Sequence, residues 1–140
     1  MTKQRNIILK PIGVIHNDVE DSRDASFDWS PVISNIELDE RYTLYTHGID
    51  QHSHLLILFW MDRPEKKQLQ PLVYPRGDKS LGKAGLFATR SPHRPNPVGL
   101  KLAELIEVHG NVLIVKGLDA LNNTPVIDIK PYLPGYDSPI

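Results

Sequence analysis

Residues 98–115 read VGLKLAELIEVHGNVLIV and decide the fold class, because they spell two extended segments joined by a tight turn. Val98 to Val108 reads as a long extended stretch, His109-Gly110-Asn111 supplies turn chemistry, and Val112 to Val115 is an apolar return strand. Downstream, the loop Asp119 to Pro125 separates this hairpin from another strand, Val126 to Ile129. Upstream, His54 to Trp60 is apolar enough for a buried strand. Val32, Ser34, Ile36 and Leu38 alternate with Ile33, Asn35 and Glu37 as another. Ile7 to His16 is expected to be the first strand, with Pro11 and Gly13 demanding an edge or a bulge. Leu86 to Thr89 reads as a further short strand. Between them, Asp39 to Gly48 suits a short helix with Asp39 as N-cap and Gly48 as terminator, and Asp62 to Gly82 is a polar, proline-punctuated excursion. Many short strands with little helix predict a mostly β fold, a small antiparallel β-barrel with short helices and long loops, formed by residues 1–140 as a single domain.

Composition narrows the function classes. At 140 residues, with 40% hydrophobic and 24% charged residues, the chain can bury an independent core. No cysteine occurs, which excludes disulfides, thiolate metal sites and cysteine nucleophiles, and fits a reducing cytoplasm. The N-terminal apolar run is broken by Lys10 and Pro11 before it reaches signal-peptide length, and the longest apolar stretch, Leu55 to Met61, cannot span a bilayer. His16, His47, His52 and His109 show no metal-ligand spacing with partner carboxylates, so no metal is expected. A formal net charge of −1 argues against indiscriminate nucleic-acid binding, but the charges are segregated. Acids crowd the early chain from Asp18 to Glu40, whereas none lies between Lys79 and Ala103, a stretch that carries Lys79, Lys83, Arg90, Arg94 and Lys101. Brought together, these cations make a basic face for a phosphate-bearing partner; left apart, they are a solvated surface.

The segment Thr89-Arg90-Ser91-Pro92-His93-Arg94-Pro95-Asn96-Pro97-Val98-Gly99 concentrates the functional signal. Its three prolines prevent helix, remove sheet donors and hold the preceding Ser91, Arg94 and Asn96 extended. Two arginines framing a histidine on so stiff a segment present donors at fixed separations with little entropy lost on binding. An anionic or polar ligand is expected; a turn that merely caps neighbouring strands is the alternative.

Residues Gly85 to Gly99, reading GLFATRSPHRPNPVG, resemble the signature of the TsaA-like family, as do Pro11-Ile12-Gly13-Val14-Ile15, Ser53-His54-Leu55, Leu118-Asp119 and the segment Thr124 to Tyr132. The resemblance covers nearly the whole chain. It implies a β-barrel methyltransferase, usually a homodimer, that uses S-adenosylmethionine to methylate N6 of threonylcarbamoyladenosine next to the tRNA anticodon. It also implies that the cofactor is held by Arg90, Leu100 and the strand end Lys116, Gly117, Leu118 and Asp119. The sequence departs from the family pattern in three places: an early proline-arginine-glutamine motif has no counterpart among Ser22 to Asp28, a histidine-glutamine pair appears as Asp62 and Arg63, still counted as cofactor-binding positions, and an aspartate-glycine pair appears as Asn122 and Asn123. The sequence ends soon after Tyr136, where the resemblance implies that longer relatives continue, and the grip on tRNA is therefore expected to fall to the basic loop.

Methyl transfer from a sulfonium depends more on in-line positioning in a dry pocket than on strong acid-base help. The attacking amine is nevertheless a weak nucleophile, and loss of its proton calls for a base within hydrogen-bond reach. Asp128, Lys130 and Tyr132 alternate along the last strand and are the expected catalytic candidates, with a salt-bridged strand end as the plain alternative. His93, Arg94 and Asn96 are assigned to the RNA, whose unpaired loops are read through splayed bases and backbone. The competing readings are a methyltransferase of the same fold on another substrate and a non-catalytic module binding RNA or another ligand.

Overall fold

In the computed structural model, which describes residues 4–21, 26–63 and 68–139, alternation of side chains along six strands rolls the sheet into a closed antiparallel barrel. The strands are β1 (Gly13–His16), β2 (Ile33–Leu38), β3 (His54–Trp60), β4 (Leu72–Val73), β5 (Ala84–Gly85), β6 (Val98–His109), β7 (Val112–Lys116) and β8 (Pro125–Pro131). All but β4 and β5 enter the barrel, in the order β1-β2-β7-β6-β3-β8, and β8 closes back on β1 through Gly13↔Val126 and Val14↔Pro125. β4 and β5 pair with each other outside it. The long β6 serves two neighbours: its first half pairs with β3, its second with β7, and a register shift between Leu105 and Glu107 turns the strand from one to the other.

One residue in two points inward. Ile15, Ile36, Leu55, Ile57, Leu113, Val115 and Val126 are fully buried and fill the barrel. Close approach is enforced by glycine at two places. A Cβ on Gly13 would stand 2.5 Å from the Glu37 carbonyl oxygen, and one on Gly99 would collide with the Phe59 ring, which packs where Gly99 leaves room.

Two expectations from the sequence are corrected. Ile7 to Ile12 is not strand: pairing as β1 begins at Gly13, and Ile7 and Ile8 stand 82% and 81% exposed. Lys10 and Pro11 deny that segment an apolar face and a ladder donor. Leu86 to Thr89 is not strand either; Leu86–Ala88 is a 3-10 turn, because the Leu86 carbonyl accepts from both the backbone N–H and the hydroxyl of Thr89, at 3.1 and 2.8 Å. The expected helix is a 3-10 helix over Glu40–Thr46, where the Asp39 carboxylate accepts from the Arg41 N–H at 3.0 Å and Gly48 follows at φ 83°. Ser22, Arg23, Asp24 and Ala25, part of the stretch lacking the early motif, lie outside the described residues. Among the described residues no helix is long and apolar enough to cross a membrane, and no group of three or more histidines or acids could hold a metal.

Candidate functional site

The ends of β3 and β7, the start of β8 and three loops meet at one mouth of the barrel around a cleft of about 790 Å³, within the range of small-molecule sites. Its walls come from four segments: Phe27 and Trp29 ahead of β2, Tyr74 and Arg76 from the excursion, Arg90 to His93 from the proline-rich loop, and Asp119 to Leu121 after β7. Phe59 and Met61 form its apolar floor. Phe27 and Trp29 meet edge to face at 4.8 Å.

The turn after β7 is built to deliver Asp119. Gly117 takes φ 87°, in the left-handed region that favours glycine, and its N–H donates to the Val32 carbonyl at 2.9 Å. Leu118 is fully buried and anchors the turn, while Lys116 stays exposed. Lys116, Gly117 and Leu118 do not line the cleft, and Asp119 is the one of the four that does. Asn17 fastens the other side: its amide donates to the Ser34 hydroxyl at 3.0 Å and to the Ala120 carbonyl at 2.8 Å, and its N–H donates to the Asn122 side chain at 2.9 Å. Asn123 sits at φ 69°, which asparagine tolerates better than other non-glycine residues, so the pair that replaces aspartate-glycine keeps the turn.

Electrostatically the cleft sets cationic side chains around one partly desolvated acid. Asp119 is exposed, yet partial loss of hydration against the cleft wall pushes its carboxyl above the usual carboxylate range; nearby Lys101 and Arg90 pull it back in part. Asp62 is the other carboxylate among the described lining residues, and it faces Arg63 at 3.5 Å. Arg63 donates to the hydroxyl of buried Thr124 at 2.7 Å, tying the end of β3 to the start of β8.

Of the residues singled out from the sequence, Asp62, Arg63, Arg90, His93 and Asp119 line this cleft. Leu100 does not: it points out of the barrel opposite Leu58 and is 45% exposed. Asp128 and Lys130 also lie on the outer face, opposite Leu58 and Leu56, and pair with each other at 3.0 Å; Tyr132 follows them beyond β8, its N–H donating to the His54 carbonyl. Asn96 is exposed outside the cleft. Arg94 turns back on its own loop, where one guanidinium nitrogen donates to the carbonyls of Thr89 at 2.9 Å, Ser91 at 3.1 Å and Leu86 at 3.4 Å. Arg94→Ala is accordingly expected to loosen the loop, with a stability loss of about 1–3 kcal/mol for the unpaired carbonyls. It should weaken every ligand of the loop together, in thermal melts and binding titrations; loss of RNA affinity with an unchanged melting temperature would return Arg94 to the RNA. The aromatic walls and Asn17 carry no local sequence signal, since they converge only when the barrel closes.

Comparison with known proteins agrees with this geometry. Residues 23–138 match the family model of the tRNA-methyltransferase O N-terminal domain. The chain is 41% identical over 133 residues, 94% of its length and 93% of the other's, to an S-adenosyl-L-methionine-binding protein of Archaeoglobus fulgidus. It is 46% identical over 92 residues, 66% of its length, to the tRNA (adenine(37)-N6)-methyltransferase of Homo sapiens, and spans 21% of that protein. A crystal structure of TrmO superposes with a TM-score of 0.78 at 28% identity, covering 96% of this chain and 61% of that one, so the chain spans about three-fifths of that structure's length. The chain belongs to the tRNA-methyltransferase O family.

Proposed function

We propose that the chain is an S-adenosylmethionine-dependent tRNA methyltransferase of the cytoplasm that methylates N6 of the threonylcarbamoyladenosine beside the anticodon. The observation that carries this reading is the joint lining of one cleft by Arg90, from the signature loop, and Asp119, from the turn after β7. The residues fit the cofactor. Arg90 suits its carboxylate, Asp119 its hydroxyls, and the rings of Phe27, Trp29 and Tyr74 suit adenine or a sulfonium cation. When bound, S-adenosylmethionine supplies an activated methyl group. The chain's own work is to orient and to exclude water, through the apolar floor of Phe59 and Met61 and the tether between Arg63 and Thr124.

A homodimer belongs to the same proposal. Leu100, Asp128, Lys130 and Tyr132 lie away from the cleft of their own chain, on or beside an outer face that also exposes Leu102. A second copy docked on that face is the means by which Leu100 meets cofactor and by which Asp128, Lys130 and Tyr132 approach the reacting amine.

The name of the Archaeoglobus fulgidus relative speaks of binding alone, which favours a second reading: cofactor binding with transfer to some other substrate, or none. Calorimetric titration with S-adenosylmethionine, followed by assay on tRNA with and without the threonylcarbamoyl group, separates the two. We expect one cofactor per chain, methyl incorporation confined to the modified tRNA, and sedimentation as a dimer that Leu100→Lys dissociates. Equal methylation of unmodified tRNA removes the threonylcarbamoyl part of the proposal, binding without transfer supports the second reading, and no binding leaves a non-catalytic module.

A further inference from the structure

Phe87 is 80% exposed, in a loop whose flanking residues Leu86 and Thr89 are both anchored. Leu86 anchors the turn from below at 7% exposure, and Thr89 closes it by hydrogen bonding to the Leu86 carbonyl. The Phe87 ring has a fixed cation beside it: the Arg94 guanidinium lies 5.7 Å from its centroid and is held there by its bonds to three loop carbonyls. Three residues on, Arg90 enters the cleft wall. Across the same lobe, Lys83 sits 5.4 Å from the ring of Tyr74, itself part of the cleft. No acid lies between Lys79 and Ala103, and Asp78 just before it accepts from the N–H and hydroxyl of Ser80 at 2.9 and 2.6 Å.

An exposed ring costs solvation, and this one stands beside a fixed cation in a stretch of one charge sign. That combination suits a π-face carried on an anionic backbone better than the apolar surface of a protein. We propose that Phe87 is a stacking platform for an unpaired RNA base flanking the nucleotide whose amine enters the cleft. The proposal rests on the RNA reading of the cleft and adds a second contact point. Arg94 acts there as a positioning residue, and Phe87 supplies the surface.

The test uses the full chain with S-adenosylmethionine present and an anticodon stem-loop RNA carrying 2-aminopurine beside a threonylcarbamoyladenosine target. Wild-type protein is expected to bind it and to change the fluorophore's emission by stacking. Phe87→Ala should weaken binding about five- to a hundredfold, abolish the emission change and leave cofactor affinity, sedimentation and melting temperature unaltered. Phe87→Tyr should restore both signals and Phe87→Leu should not. Because a neutral ring releases no counterions, the salt dependence of the remaining binding should keep its slope. Equal binding by wild type and Phe87→Ala overturns the stacking platform and leaves the RNA reading standing. A change of sedimentation in Phe87→Ala assigns the ring to contact between copies instead, and a wild-type chain that binds no stem-loop removes both readings.

Discussion

Arg90→Ala is expected to lower affinity for S-adenosylmethionine by about ten- to a hundredfold, the loss that accompanies one charge-assisted hydrogen bond. The side chain lines the cleft, and neither a hydrogen bond nor an ion pair ties it to another described residue. Its donors are therefore free for a ligand, and its removal leaves little to repair in the fold. Its backbone is held by the Leu86–Ala88 turn on one side and by Pro92 on the other, so the guanidinium reaches the cleft from a preset direction. Arg90→Lys should recover only part of the affinity, since an ammonium cannot match a carboxylate with two parallel bonds. Calorimetry reads both variants directly. Affinity unchanged in both moves the cofactor away from the signature loop, and loss accompanied by a lower melting temperature makes Arg90 structural.

The barrel was legible in the sequence where one physical signal dominated. Strand β3 announced itself by an apolar run bounded by polar residues, and the β6–β7 turn by Gly110, which adopts φ 58°. The N-terminal segment misled because Ile7, Ile8 and Leu9 have strand composition yet find no partner before Ile12 bonds to Val126. At the site, Arg90 was legible as loop chemistry, and Asp119 only through the resemblance to the family. The direction of Arg94 was not, because the carbonyls it satisfies belong to a turn that reads as a strand. Asp128 and Lys130 show the limit of alternation: a period of two says that they share a face, but only pairing with β3, whose Leu55, Ile57 and Phe59 point inward, says that it is the outer one.

Asp119→Asn should make the protein slightly more stable at neutral pH, the gain being small because solvent screens the exposed side chain, and less able to hold its cofactor. Burial raises the folded-state pKa of Asp119 above its unfolded value, so the folded chain favours the protonated acid. The stabilising contribution of that proton is fully present below the unfolded pKa and is lost as pH rises through the folded one. At pH 7 the carboxylate is ionised and its partial desolvation weighs slightly against the fold, screened by solvent and offset in part by Lys101 and Arg90. Asparagine removes that charge, so the variant should melt higher than wild type at pH 7, with the difference shrinking as the pH approaches 3 and Asp119 protonates. The same residue is proposed to accept from cofactor hydroxyls, and an amide does so more weakly than a carboxylate. The KM for S-adenosylmethionine should therefore rise about tenfold or more with kcat nearly unchanged. A fall in kcat at constant KM would instead make Asp119 the acceptor of the amine proton. A variant that gains stability at every pH equally would mean that the carboxylate is not the source of the strain, and a chain that keeps a destabilising charge without use for it would be hard to explain.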